Sequence, residues 1–330
     1  MALANATSFA ALAAPLAAPD GRDVVLAVVK ATFRRDARGR LALADEQVPV
    51  RAGDISYFPN AEDSCIRYPG DICVEKRGTD VVIVGAAVSQ RPVLAVDVGA
   101  LVRDRKIHLR VHGERVYYRG ALGVTVGPAA SFERKPIVWE RAYGGTSLDK
   151  SVVERRNPVG RGFGRSAAEL VDMPAPQIED PAFPITSAAD RPEPVGFGAI
   201  SAHWSPRAEL AGTFDDIWRR TRMPRMPADF DVRHNNVAPV ALQFDPPLGA
   251  GDPIALVGMT LDGLWKAELP SLPVSLHGRY NDGRSVGVRP TVDTVLIEPL
   301  DDRIELTVRH AFPMGRGKTA LREIRVDADG

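Results

Sequence analysis

Apolar and polar positions alternate with a period of two along most of the readable chain, and a helical period surfaces once. Residues 23–33 form the densest apolar run, rich in β-branched side chains and preceded by Asp20-Gly21, which predicts a buried strand after a turn. Two further apolar runs, 80–88 and 92–101, are separated only by Ser89, Gln90 and Arg91, a spacing that predicts a hairpin connection. Ile107, Leu109 and Val111 alternate with His108, Arg110 and His112, so one face of that strand is apolar and the other basic. Residues 114–118 predict a return strand after a turn at Gly113. Strands are also expected at 254–259, 264–269 and 274–280. The best hairpin pairs 291–298 with 303–312 around Leu300-Asp301-Asp302, with Ile304, Leu306 and Val308 on one face. The helical signal lies at 207–222, where Leu210, Phe214, Ile217 and Trp218 recur at helical spacing. Gly212 weakens its first turn, and Pro224 and Pro227 stop it.

Between the two β-rich portions the periodicity disappears. From Gly144 to Pro206 the chain carries seven glycines and eight prolines among aromatic and charged residues, which neither a helix interior nor a central strand accepts. Irregular connections of this length inside a compact domain are usually functional or disordered. The expected organisation is an N-terminal β region at 1–142, a Gly/Pro-rich loop region packed on the sheets at 143–206, and a short helix with a C-terminal β region at 207–330. Together these read as one compact unit. The fold class is mainly β: antiparallel, sandwich-like sheets with long irregular loops and one or a few short helices.

Composition narrows the function classes. The 330 residues suffice for one large domain or two smaller ones, and 45% hydrophobic with 25% charged residues is ordinary globular usage. Forty-two basic and forty-two acidic side chains cancel, so no global field draws the chain to nucleic acid or anionic lipid. Local arginine clusters stand at Arg155, Arg156, Arg161 and Arg165 and at Arg219, Arg220, Arg222 and Arg225; without a wider basic field they read as solvated faces or internal ion pairs. No run of 18 apolar residues is present, and the alanine-rich N-terminus lacks the positive start of a secretory signal, so the expected compartment is the cytoplasm. The two cysteines, Cys65 and Cys73, match no zinc spacing; a bridge would need a hairpin between them, and two reduced thiols are the simpler reading.

Candidate chemistry is sparse. His108 and His112 share a strand face, but four residues of strand separate their Cα atoms by ~13 Å, too far to grip one ion unaided. Gly160-Arg161-Gly162-Phe163-Gly164 superficially resembles a phosphate loop, yet no Gly-Lys-Ser/Thr follows and the surroundings are proline-rich, so a structural turn is expected. There is no Gly-x-Ser-x-Gly elbow, and neither His203 nor His234 has an assignable catalytic partner. No catalytic residue, metal site or cofactor is therefore expected. Seven aromatic and arginine side chains remain, read as exposed and as binding a partner or ordering the loops: Trp139, Arg141, Tyr143, Arg161, Phe163, Trp204 and Arg207. Such side chains dominate interface hot spots.

At these residues the chain resembles a known family. The block from Trp139 to Gly145, with Asn157 to Phe163, looks like the signature of domain of unknown function family 2169. Asp71, Lys76, Gly78-Thr79-Asp80 and Gly85-Ala86-Ala87 resemble its middle block, and Val111 to Val116 its Gly-Asp-Arg strand element, with Glu114 in place of the usual acid. Pro194 to Gly198, His203 to Arg207, Ala211 to Asp215 and Met223 to Asp231 continue the likeness in order; near the end the family's Trp-Arg is Val308-Arg309 here. The resemblance implies an accessory protein of type VI secretion, found beside spike-tip (PAAR) proteins, VgrG spikes and toxic effectors. It implies an adaptor or chaperone that binds an effector or a PAAR or VgrG partner and assists its loading. It supplies no catalytic residues. The competing expectations are a hydrolase or carbohydrate-processing enzyme on a β-sandwich, and a structural component of the secretion apparatus.

Overall fold

The computed structural model describes residues 1–58, 64–121 and 123–328. The fold is mainly β. Every long element is a strand, most pairings are antiparallel, and the one α-helix among the described residues is the six-residue Asp216–Thr221.

A central seven-stranded sheet runs Gln243–Phe244, Thr79–Ile83, Val292–Glu298, Arg303–Pro313, Asp23–Arg35, Ala10–Ala17, with Leu41–Leu43 also paired to Asp23–Arg35. It draws strands from both ends of the sequence, and only its Thr79–Ile83 and Val292–Glu298 pair is parallel. Asp23–Arg35 is buried on both faces from Val24 to Phe33, the environment its unbroken β-branched run suits.

Register sorts the faces of this sheet. Val25, Val29, Ala31 and Phe33 stand opposite Phe312, Val308, Leu306 and Ile304 and form an apolar face. Part of it packs on a four-stranded sheet of Ala2–Asn5, Leu321–Ala328, Val274–Tyr280 and Ser285–Val288. Ala31, Phe33, Ile304 and Leu306 instead join a core with Val98, Leu109, Leu256 and Trp265 of a five-stranded sheet. That sheet runs Ile178–Glu179, Arg105–His112, Ala95–Val102, Pro253–Val257, Leu264–Glu268. Two smaller sheets thus share one face of the central one.

The opposite face is charged yet buried. Arg303, Glu305, Thr307 and Arg309 alternate with the apolar positions, and residues from the 47–76 stretch cover them. Five cations meet five carboxylates: Lys30 and Arg51 with Asp71 and Glu305, Arg303 with Glu298, Arg309 with Asp293, Lys76 with Asp80. Pairing makes the burial tolerable; removing one member of such a pair costs about 3–5 kcal/mol because a charge is left alone in low dielectric.

Several expectations need correction. The 89–91 hairpin does not form. Ser89, Gln90 and Arg91 lie inside one strand, Ala86–Val93, which pairs with Phe132–Pro136, while Ala95–Val102 pairs with Arg105–His112. The 80–88 run is broken around Gly85 and feeds two different sheets. The return strand expected at 114–118 starts at Tyr117 and pairs forward with Gly123–Val126. Helical structure at 207–222 is reduced to a turn at Ala208–Leu210 and the helix Asp216–Thr221, because Gly212 takes φ +85° between them. Ala10–Ala17, Ala2–Asn5, Ser285–Val288 and Leu321–Ala328 are strands that local propensity does not announce. Cys65 and Cys73 are both free: Cys65 is buried with its amide on Glu140, and Cys73 accepts from Arg309 at 2.6 Å.

Candidate functional site

The Gly/Pro segment is ordered from the inside by its aromatics. Trp139 begins a single turn, Trp139–Arg141, and its indole donates to the Gly198 carbonyl at 3.2 Å. Gly196 and Gly198 flank that ring; a Cβ at Gly196 would sit 3.3 Å from it, a tight contact that would make the indole or the backbone give by a few tenths of an ångström. Trp204 meets Trp139 edge to face with centroids 6.3 Å apart.

Asn157 ties the segment to itself. Its side-chain amide, wholly buried, donates to the carbonyls of Trp139 at 2.8 Å and Tyr143 at 2.9 Å. Tyr143–Gly144 then pairs in parallel with Arg161–Gly162. Gly144 adopts φ +145°, and a Cβ there would fall 2.2 Å from the Asn157 carbonyl oxygen. The glycine-rich Gly160 to Gly164 stretch is therefore backbone pairing and close packing.

Four of the seven sequence candidates are accordingly buried, and their reading as exposed side chains is corrected: Trp139, Tyr143, Trp204 and Arg207. Arg207 reaches the carbonyls of His234 at 2.9 Å and of Ile200, and burial pulls its guanidinium below the ordinary arginine value. Arg141, Arg161 and Phe163 stay partly exposed. The structure brings Arg141 and Arg161 together on one carboxylate that composition does not single out, Glu114.

Glu114 is 57% exposed at its side chain, yet both oxygens are engaged. Oε1 accepts from Lys135 at 2.8 Å and Arg141 at 3.0 Å; Oε2 accepts from Arg161 at 3.4 Å and from the Gln177 amide. Gln177 Oε1 in turn accepts from Arg141 at 2.5 Å. Partial burial raises the Glu114 carboxyl, but hydrogen bonds from Lys135 and Arg141 outweigh it and hold the group at about 2. Three cations around one carboxylate leave the cluster locally positive. Arg141 and Arg161 stand among the sequence candidates, Glu114 within the Val111–Val116 block and Asn157 at the start of the Asn157–Phe163 block; Lys135 and Gln177 have no sequence signal.

Beside it, Glu179 is buried and saturated by His112 at 2.8 Å, Arg115 at 2.6 Å and the Ile185 amide at 3.0 Å. Burial raises this carboxyl too, and the bonds from His112 and Arg115 bring it down to about 2. The two strand histidines turn to different acids: His108 lies 3.7 Å from Asp97, His112 on Glu179. Of the first arginine cluster, Arg156, Arg161 and Arg165 pair with Glu154, Glu114 and Asp149. The Glu114 cluster with Phe163 is the candidate functional site.

One family model matches residues 20–309, and its description is an uncharacterized protein conserved in bacteria, DUF2169. The chain belongs to that family. No curated protein and no solved structure matches it. The DUF2169 span takes in Asp23–Arg35, the charged layer and the Gly/Pro segment, and it closes on Arg309, the residue locked to Asp293. Asp71, Lys76 and Asp80, within the matched span, are members of that buried charged layer. No helix among the described residues is long and apolar enough to cross a membrane.

Proposed function

We propose that this DUF2169 protein is a type VI secretion adaptor that binds a protein effector or a PAAR or VgrG spike partner and assists its loading. The observation that carries the reading is the Glu114 hub. An exposed carboxylate bound by donors from three separate stretches of chain freezes the outer edge of the Gly/Pro segment and holds Arg141 and Arg161 at the surface. Side chains ordered before an encounter lose little further entropy on binding, which favours recognition over chemistry. The enzyme alternative fares worse on a specific point. Every displaced carboxyl among the described residues is displaced downward, Glu114 and Glu179 to about 2, whereas a general acid at neutral pH needs one raised.

The test is co-expression with the effector and spike-tip proteins encoded beside the gene, followed by a pull-down. A salt-resistant complex that raises effector solubility is expected. Arg161→Ala with Phe163→Ala should abolish capture of one partner while thermal stability stays nearly unchanged. A collapse in melting temperature would assign these residues to packing, and well-folded wild type that captures no neighbour would sink the adaptor reading.

A further inference from the structure

The helix Asp216–Thr221 has no buried residue, so it is not held by packing into a core. It is braced instead from within its own loop. Asp215 caps it by accepting from the Trp218 amide at 2.7 Å. Trp218 stacks edge to face on Phe214 with centroids 4.8 Å apart, and its indole donates to the Arg225 carbonyl at 2.8 Å. Arg222 bridges to the carbonyls of Met226 and Pro19, which anchors the unit at the turn before Asp23–Arg35. What this bracing displays is apolar: Phe214 is 52% exposed, Ile217 63%, Met223 61% and Met226 41%. An ordered loop that turns four large apolar side chains outward within thirteen residues (214–226) has the composition of an interface core.

Charge accounting selects the partner. The acids of the loop are engaged internally: Asp215 on the helix cap, Asp216 with Arg219, Asp229 with Thr213, Asp231 with Arg233. Among the described residues no carboxylate pairs with Arg220, Arg222 or Arg225. The surface therefore offers apolar contact framed by uncompensated guanidinium groups. We propose that Phe214, Ile217, Met223 and Met226, framed by Arg220, Arg222 and Arg225, form a docking surface for an acidic, apolar segment of a partner protein. The inference rests on the adaptor reading, and it adds a surface separate from the Glu114 cluster, as a protein that joins two others requires.

The test uses the full chain co-expressed with its encoded neighbours. Two variants address the two components: Ile217→Glu with Met223→Glu removes the apolar contact, and Arg220→Glu with Arg225→Glu reverses the frame. Each should lower capture of one identified neighbour by at least about tenfold with an unchanged melting curve, because the side chains are exposed. If wild type captures its neighbours and both variants capture them equally well, the docking surface is wrong and the adaptor reading stands. Wild type that captures nothing removes both. Vesicles of phosphatidylserine and phosphatidylcholine serve as the counter-probe: vesicle binding lost in both variants, with neighbour capture intact, would assign the surface to anionic lipid. A wild-type dimer that both variants convert to monomer, again with capture intact, would assign it to a second copy of this chain.

Discussion

The Gly/Pro segment and the loop from Gly212 to Asp231 are both irregular, proline-bearing and studded with aromatics and arginines, yet they are built inside out from one another. In the first, Tyr143, Phe197 and Trp204, with Trp139 just before it, are buried and the backbone closes over them. In the second, Phe214, Ile217, Met223 and Met226 point outward and the backbone closes beneath them. The deciding groups are small and polar. Asn157 binds two buried carbonyls and draws its segment onto the core. Asp215, Trp218 and Arg222 satisfy backbone groups of the other loop and tie it to the turn at Pro19, so its shape does not depend on burying Phe214 or Ile217. An irregular segment keeps its shape through satisfied backbone groups, and where those partners sit decides which way the aromatics face.

The sharpest way to break that comparison is through its two glycines. Gly144 and Gly212 both have positive φ, but a Cβ at Gly144 would meet a carbonyl oxygen at 2.2 Å and one at Gly212 a proline Cβ at 2.8 Å. Gly144→Ala should lose roughly 3–5 kcal/mol, since rigid buried backbone must move. Gly212→Ala should lose less, about 2–3 kcal/mol, because left-handed strain is joined by displacement of the Pro227 ring but no buried carbonyl is struck. Urea unfolding midpoints of the purified variants decide it. Equal losses would mean that the outer loop is as integral to the fold as the inner segment.

The same contrast explains what was legible in the sequence. Asp23–Arg35 and Arg303–Pro313 announce themselves because β-branched runs and strict alternation have few other solutions. Alternation names the apolar face of Arg303–Pro313 but is silent on whether Arg303, Glu305 and Arg309 meet water; they meet Glu298, Arg51 and Asp293 instead. Ala10–Ala17 escapes notice because alanine has little strand preference and the neighbouring strand imposes the conformation. At 207–222 periodicity could not see that Gly212 interrupts the helix, nor that Phe214 and Ile217 face solvent. Glu114 was invisible as a hub because its donors, Lys135, Arg141, Arg161 and Gln177, come from positions 21 to 63 residues away.

A second prediction bears on the inner segment alone. Asn157→Ala removes a side-chain donor from each of the Trp139 and Tyr143 carbonyls, leaving Trp139 with only the Ala142 amide, which should cost about 2–3 kcal/mol. Hydrogen exchange should speed up first at the amides of Gly145 and Arg161, whose bonds to Asn157 and Ala142 lie beside the lost contacts. Trp218→Ala, its counterpart in the outer loop, should leave global stability within about 1 kcal/mol, because its indole bond to the Arg225 carbonyl lies at the surface. A global loss from Trp218→Ala matching that of Asn157→Ala would end the distinction between the two loops.

The smallest expected effect is a pH dependence, and it too should separate buried from exposed. Glu179 titrates at about 2 when folded against 4.5 ordinarily, so the folded state favours its ionised form. The stability this confers is fully present above pH 4.5 and is lost as pH falls toward 2, through proton uptake that strips His112 and Arg115 of their acceptor. Its size should be on the order of 2 kcal/mol. Glu114 is displaced to the same value, but solvent reaches more than half of its side chain and screens its ion pairs, so its share should be well below that. Urea midpoints measured across pH 2 to 6 should fall on acidification for wild type, and Glu179→Gln should flatten that fall far more than Glu114→Gln. The reverse order would place the acid-sensitive contact at the surface hub and make the Glu114 cluster a structural clamp before anything else.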